Sequence, residues 1–147
     1  MDLQESQGMK GSLTIERTNS LGELVEKIFI PNLVVTTGKT FIASRIVGTA
    51  TAVMSHMALG TGAVAPVVGD TTLGSEIGRV ALASGTAAAA VATFTANFPA
   101  GTATGALTEA GIFNAASAGT MMCRTTFPVV NKAALDSISI SWAVTVA

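Results

Sequence analysis

Tyrosine is absent from the sequence, and tryptophan, histidine and cysteine each occur once. With only Trp142, the chain lacks the aromatic surface on which sugars or nucleic-acid bases stack. Cys123 has no partner for an internal disulfide, and we interpret it as a small buried hydrophobic residue. His56 lies in the apolar stretch VMSHMAL, and no second histidine or carboxylate cluster completes a site around it. We expect a structural histidine; the alternative is a metal site that gathers three copies of His56 around a trimer axis.

Charged residues are scarce as well: they make up 12% of the chain, and the formal net charge is −1. Such a balance gives no overall attraction to nucleic acid or to an anionic membrane, so we expect neither as a partner. Many small residues and few charges leave a weakly hydrated surface, which is easier to understand if other protein covers much of it. A chain of 147 residues can bury a core without a metal or a disulfide, so we expect no cofactor.

No segment predicts membrane insertion or export. The longest uncharged stretch, residues 80–108, is rich in alanine, glycine and threonine and contains Asn97 and Pro99, so a membrane helix there would be weakly hydrophobic and broken. The first residues, MDLQESQGMKGS, carry acidic side chains where a signal peptide needs basic ones. We therefore expect the protein to stay in the cytoplasm of the cell that makes it.

Residues 1–20 are predicted to form an extended N-terminal arm, and residues 21–147 a single β-rich domain. Leu13 and Ile15 alternate with polar residues, so we expect them to add an edge strand to a neighbouring protein. Glu16 and Arg17 are expected to make polar contacts beside that strand. These four residues are the predicted partner-binding site.

One or two short helices are predicted in the first third of the chain. Ser20 and Glu23 have the spacing of a capping box, which predicts a helix from Leu21 to about Lys27. Residues 39–47 have apolar side chains at helical spacing, which predicts a second short helix.

The triplet Gly38-Lys39-Thr40 resembles the end of a phosphate-binding loop. The full pattern needs a glycine five residues earlier, and that position is Leu33. We therefore interpret Gly38 as a turn residue before the second helix, and not as part of a nucleotide site.

From Thr51 onward the chain alternates as β-strands do. The clearest case is residues 137–146, in which every second residue is apolar: Ile138, Ile140, Trp142, Val144 and Val146. Two further strands are predicted around a turn at Ser117-Ala118-Gly119. Short strands separated by glycine, proline and serine predict an antiparallel β-sandwich or jelly roll.

The sequence shows no catalytic pattern, so we expect a protein that is not an enzyme. Its carboxylates outside the first third, Asp70, Glu76, Glu109 and Asp136, are scattered among turns and strand edges. The remaining alternative is a glycan hydrolase, because two dispersed carboxylates can still meet across a cleft.

Two long segments resemble small structural proteins of tailed bacteriophages. The first, VMSHMALGTGAVAPVVGDTTLGSEIGRVAL, contains the pattern ALGTG…D..LG.E..R, and the second contains LTEAGIFN before a serine-rich alternating strand. GKTFIASR is similar to the short helix that precedes this module. The resemblance spans residues 38–147 and implies a virion protein; similar modules look at home in tail-fibre, baseplate and capsid-surface proteins.

Within a virion, we expect a capsid decoration, or cement, protein, because one compact domain plus an arm lacks the repetitive shaft of a fibre. Such a protein stabilises a shell because it binds only the assembled lattice. Its expected partners are the major capsid protein or other virion proteins, and further copies of itself in a homotrimer. The alternative is a tail-fibre, baseplate or receptor-binding component of the tail.

Overall fold

The computed structural model describes residues 8–49 and 51–146, and within these ranges the chain forms nine strands and one helix. In chain order they are β1 (Met9–Thr18), β2 (Leu24–Val34), α1 (Thr36–Ile46), β3 (His56–Gly60), β4 (Glu76–Ala81), β5 (Ser84–Ala88), β6 (Val91–Phe98), β7 (Gly105–Phe113), β8 (Met121–Lys132) and β9 (Ser137–Val146). The prediction of a mainly β protein is confirmed.

The nine strands form one antiparallel sheet in the order β4-β3-β7-β8-β2-β1-β9-β6-β5. Its two end strands, β4 and β5, are joined by only Leu82 and Ala83. The Leu82 N–H donates to Ser55 O beside β3 (2.9 Å), and the Ala83 N–H donates to Thr95 O on β6 (2.7 Å). These bonds draw the two ends of the sheet together, so the sheet curls. The predicted sandwich or jelly roll is not confirmed.

The inner face of the curled sheet holds the main hydrophobic core. Strand β9 lies with alternate residues inside and outside, as its sequence predicts: Ser139 and Ser141 are exposed, and the apolar residues between and beside them are at most 2% exposed, namely Ile138, Ile140, Trp142 and Val144. Phe98 from β6 and Leu107 from β7 join the same core. The alternation places the hydrophobic side of each strand inside the curl.

Strand β1 corrects the prediction of an arm that ends at residue 20. It lies in the interior of the sheet, paired along its length with β2 on one side and β9 on the other. Leu13 pairs with Ile30 and Trp142, and Ile15 pairs with Ile28 and Ile140. Residues 9–18 therefore belong to the domain, and residues 1–7 of the predicted arm lie outside the described residues.

The helix predicted from Leu21 to Lys27 is wrong, because that segment turns and enters β2. The Asn19 side chain accepts hydrogen bonds from the N–H groups of Leu21 and Glu23 (2.9 and 3.0 Å), and Gly22 has a φ of 80°. This turn starts the β1–β2 hairpin, and pairing with β1 outweighs the local capping pattern.

The second predicted helix is confirmed as α1, which begins three residues before the predicted start. Gly38 lies within its first turn and not in a loop before it, as the sequence had suggested. A Cβ on Gly38 would contact the backbone of Met122, whose Cα would lie 2.8 Å away. The Thr37 hydroxyl also donates to Met121 O (2.7 Å). The start of α1 is therefore packed directly on the backbone of β8.

Candidate binding surfaces

The four residues of the predicted partner-binding site make their contacts within the chain. Leu13 and Ile15 are buried in the core. Glu16 lies 3.5 Å from the Lys27 ammonium across the hairpin. Arg17 pairs with Glu26 on β2 (3.1 Å) and Asp136 before β9 (3.0 Å). The predicted edge strand is wrong, because both edges of β1 are already paired and its apolar face is the core face.

The loop between β3 and β4 is held by a buried carboxylate. Glu109 on β7 accepts hydrogen bonds from the N–H groups of Gly62 (2.9 Å), Gly74 (2.8 Å) and Ser75 (2.6 Å). A Cβ on Gly62 would contact the same carboxylate at 2.5 Å, so the backbone approaches Glu109 at a position where only glycine fits. Both ends of the loop are thereby fixed to the sheet.

Arg124 on β8 completes this buried ion cluster, which consists of Glu109, Arg124 and Asp70. Its guanidinium donates to Glu109 Oε2 (2.9 Å), to Asp70 Oδ2 (2.8 Å) and to Val64 O (2.9 Å). Burial by itself would raise the pKa of Glu109, but hydrogen bonds from Ser75 and the other donors outweigh it and lower that pKa. The hydrogen bonds that Glu109 accepts are therefore all made within the chain, as expected of a structural contact.

A second arginine holds the neighbouring turn. Arg79 on β4 donates to Glu76 (2.7 Å) and to the carbonyl oxygens of Ala115 and Ala118 (both 2.9 Å), and its guanidinium lies 3.7 Å from the centroid of the Phe113 ring. Gly62, Asp70, Gly74 and Glu109 thus contribute to the ion cluster, and Glu76 and Arg79 pair at the neighbouring turn. They fix two loops against the sheet.

The four carboxylates that were candidates for a catalytic pair also form ion pairs within the chain. Each of the four scattered carboxylates pairs with an arginine: Asp70 and Glu109 with Arg124, Glu76 with Arg79, and Asp136 with Arg17. All four carboxylates are therefore already engaged by contacts within the chain.

His56 and Cys123 lie apart from these carboxylates. The His56 Nδ1 shares a hydrogen bond with the Ser55 hydroxyl (2.8 Å). Burial raises the pKa of the Cys123 thiol to about 12, which makes it unreactive. Across residues 8–49 and 51–146, no three His, Cys, Asp or Glu side chains form a metal-binding group, and no helix is long and apolar enough to cross a membrane.

The outer face of the three strands at one end of the sheet is free of charged residues. The adjacent strands β9, β6 and β5 contain no Asp, Glu, Lys or Arg, and their outward side chains are mainly serine, threonine, asparagine and alanine. Ser84 and Thr95 share a hydrogen bond across this face (2.6 Å), as do Ser139 and Asn97 (2.9 Å). We call this surface the hydroxyl face.

Large apolar side chains are exposed on the strand next to β1. Phe29 on β2 is 72% exposed, and it lies on the same outer side of the sheet as the hydroxyl face; Leu24 on the same strand is 55% exposed. A groove of about 580 Å³ lies on the other side of the sheet, between α1 and the inward side chains of Ala92, Phe94 and Val144. The outer side therefore combines an uncharged face with an exposed aromatic ring.

Sequence reasoning did not identify Phe29 as an exposed residue. Phe29 lies within the apolar block VEKIFIPNLVV, which gives no sign of which residues face inward. Its register with β1 makes the distinction, because Leu13 and Ile15 are opposite Ile30 and Ile28 and leave Phe29 on the outer side.

Comparisons with protein-family models, with curated proteins and with solved structures found no match for this chain.

Proposed function

We propose that the protein is a non-enzymatic structural protein of a phage virion, and specifically a decoration protein that binds the assembled capsid and stabilises it. The observation that carries the proposal is the hydroxyl face of β9, β6 and β5, with Phe29 exposed on the same outer side of the sheet. A surface with few charges, small side chains and an exposed aromatic ring near it suits broad contact with other protein.

The internal ties of the fold agree with this role. The buried ion cluster and the Arg79 contacts hold the loops that join β3 to β4 and β7 to β8. Loops that are fixed before binding lose little conformational entropy when they meet a partner. The residues that carry the phage-like pattern therefore have a physical use in an assembly protein, although none of them need touch the partner.

A repeated weak contact is sufficient for a decoration protein. Each copy bound to a shell has neighbours at fixed positions, so contacts among copies and with the lattice reinforce one another through effective concentration. Because the protein binds the assembled shell and not the unassembled subunit, binding energy shifts the equilibrium toward the shell.

Immunogold labelling of particles of the phage that encodes the chain tests this location. Antibody against the protein should label the capsid surface over the whole shell. Label confined to the tail would contradict decoration and favour a tail component. Sugar-release assays with the purified protein should give no activity above that of a Glu109→Gln variant.

A further inference from the structure

The second edge of β2 is largely open. Strand β2 pairs with β1 from Leu24 to Asn32, but it meets β8 only at Leu33 and Val34. Among residues 8–49 and 51–146, no strand pairs with the β8 side of β2 before Leu33. This edge lies next to the exposed side chain of Phe29.

The positions of the open backbone groups follow from Pro31. Pro31 is opposite Ser12 in the β1–β2 pair, and it has no N–H to donate. Its carbonyl accepts a hydrogen bond from the Thr125 hydroxyl on β8 (2.8 Å), so it points away from β1. Because peptide groups alternate in direction along a strand, the N–H and C=O groups of Lys27 and Phe29 also point away from β1.

The side chains at this edge show what kind of segment it accepts. Four backbone groups in extended geometry need another extended strand as their partner. Phe29 supplies a large apolar contact beside them, and the Lys27 charge is balanced by Glu16 at 3.5 Å. A lysine usually protects an open edge from pairing. Here Glu16 lies beside the Lys27 ammonium and offsets part of its charge.

We infer that the open edge of β2 accepts an extended segment of the capsid protein, which pairs with Lys27 and Phe29 as an added strand. The inference rests on the proposed function. The sequence predicted that β1 adds a strand to a neighbouring protein; here, instead, β2 receives a strand from the neighbour. The accepted segment carries an apolar residue against Phe29 and an uncharged or acidic residue against Lys27.

Amide hydrogen exchange tests the open edge in the free protein. The N–H groups of Lys27 and Phe29 should exchange rapidly, whereas those of Ile28 and Ile30, which point toward β1, should be protected by about a hundredfold or more. NMR measures each amide separately. Protection of Lys27 and Phe29 in the free protein would overturn the inference, because the edge would already be occupied.

Binding to empty shells tests the occupant. Phe29→Pro removes the outward N–H and the apolar side chain, Phe29→Thr removes only the side chain, and Leu135→Thr removes an equally exposed apolar group from the turn before β9. We expect Phe29→Pro to reduce shell affinity by about tenfold or more, Phe29→Thr to have a smaller effect, and Leu135→Thr to have none. Circular dichroism checks the fold of each variant.

The possible results separate this inference from the proposed function. If the unmodified protein does not bind shells, decoration and strand addition both fail. If it binds and the Phe29 variants bind equally well, decoration stands and strand addition is overturned. If Phe29→Pro does not fold, two other measurements decide: the shell affinity of Phe29→Thr, and the amide exchange of residues 24–31 in the shell-bound protein. A reduced affinity together with new protection of these amides supports the inference. An unchanged affinity without new protection overturns it.

Discussion

Glu109 is fully buried, and its two carboxylate oxygens accept five hydrogen bonds from Gly62, Gly74, Ser75 and Arg124. A buried charge is costly unless it is paired and hydrogen-bonded, and here both conditions are met. The residue thus joins three separate parts of the chain at a single point.

Replacing Glu109 with Gln should destabilise the protein by about 3–5 kcal/mol, because Arg124 would be left as a buried charge with only Asp70 beside it. Chemical denaturation measures the change. Glu76→Gln is the matched control: its side chain is 34% exposed and its arginine partner has other acceptors, so the cost should be at most about 1 kcal/mol. Equal effects of the two substitutions would contradict the structural role of the cluster.

The same residue sets part of the acid sensitivity. The pKa of Glu109 in the folded protein lies below its ordinary value of 4.5, so the folded state binds this proton less readily than the unfolded chain does. Its contribution is present above about pH 4.5 and is lost as the pH falls through the folded pKa. Stability should therefore fall more steeply with acid in the natural protein than in Glu109→Gln.

Gly38 shows how one missing side chain positions an element. Gly38→Ala places a Cβ against the Met122 backbone, and backbone atoms cannot move aside as a flexible side chain can. The gain in helix propensity is outweighed, and we expect a loss of about 1–3 kcal/mol. Gly69→Ala meets nothing within 4 Å and should be close to neutral in the same thermal unfolding measurement. A stabilised Gly38→Ala variant would show that α1 does not pack on β8 in this way.

At the scale of the element, local patterns predicted β9 and the β7–β8 hairpin. The hairpin turn has positive φ at Ala118 (51°) and Gly119 (77°), close to the predicted turn residues. Strand β1 was assigned the wrong role because alternation is the same in a central strand and in an edge strand. Only the pairing of Leu13 with residues far along the chain distinguishes the two.

The ion cluster could not be predicted from the sequence, because its residues are far apart along the chain. Glu109 and Arg124 lie on the paired strands β7 and β8, where Glu109 is opposite Thr126 and Arg124 is opposite Gly111, and Asp70 reaches them from a loop 54 residues before Arg124. Sequence spacing carries no information about such contacts. The hydroxyl face, in contrast, was implicit in the serines of β9, and what the sequence did not show was which strands lie beside it.

Deletion of residues 1–20 should prevent folding, because it removes β1 from between β2 and β9 and leaves core residues such as Trp142 uncovered. Circular dichroism and size-exclusion chromatography measure the result. Deletion of residues 1–7 is the control, since it leaves β1 complete. A folded chain without residues 1–20 would contradict the central position of β1 and restore the arm.

For the whole molecule, the curled sheet carries the uncharged hydroxyl face and several exposed apolar side chains. This surface supports the expectation that copies associate, and a closed homotrimer stays our prediction. Light scattering at micromolar concentration should give about three times the chain mass of 14.7 kDa. A monomer across that range would contradict self-association in solution.

The most direct test of decoration is the heat resistance of purified shells that lack this protein, measured with and without added protein. The proposal predicts that shells bind the protein up to a fixed number of copies and that their disruption temperature rises with occupancy, because the protein binds the assembled lattice preferentially. Shells that bind no protein, or that bind it without any rise in disruption temperature, would contradict the proposed function.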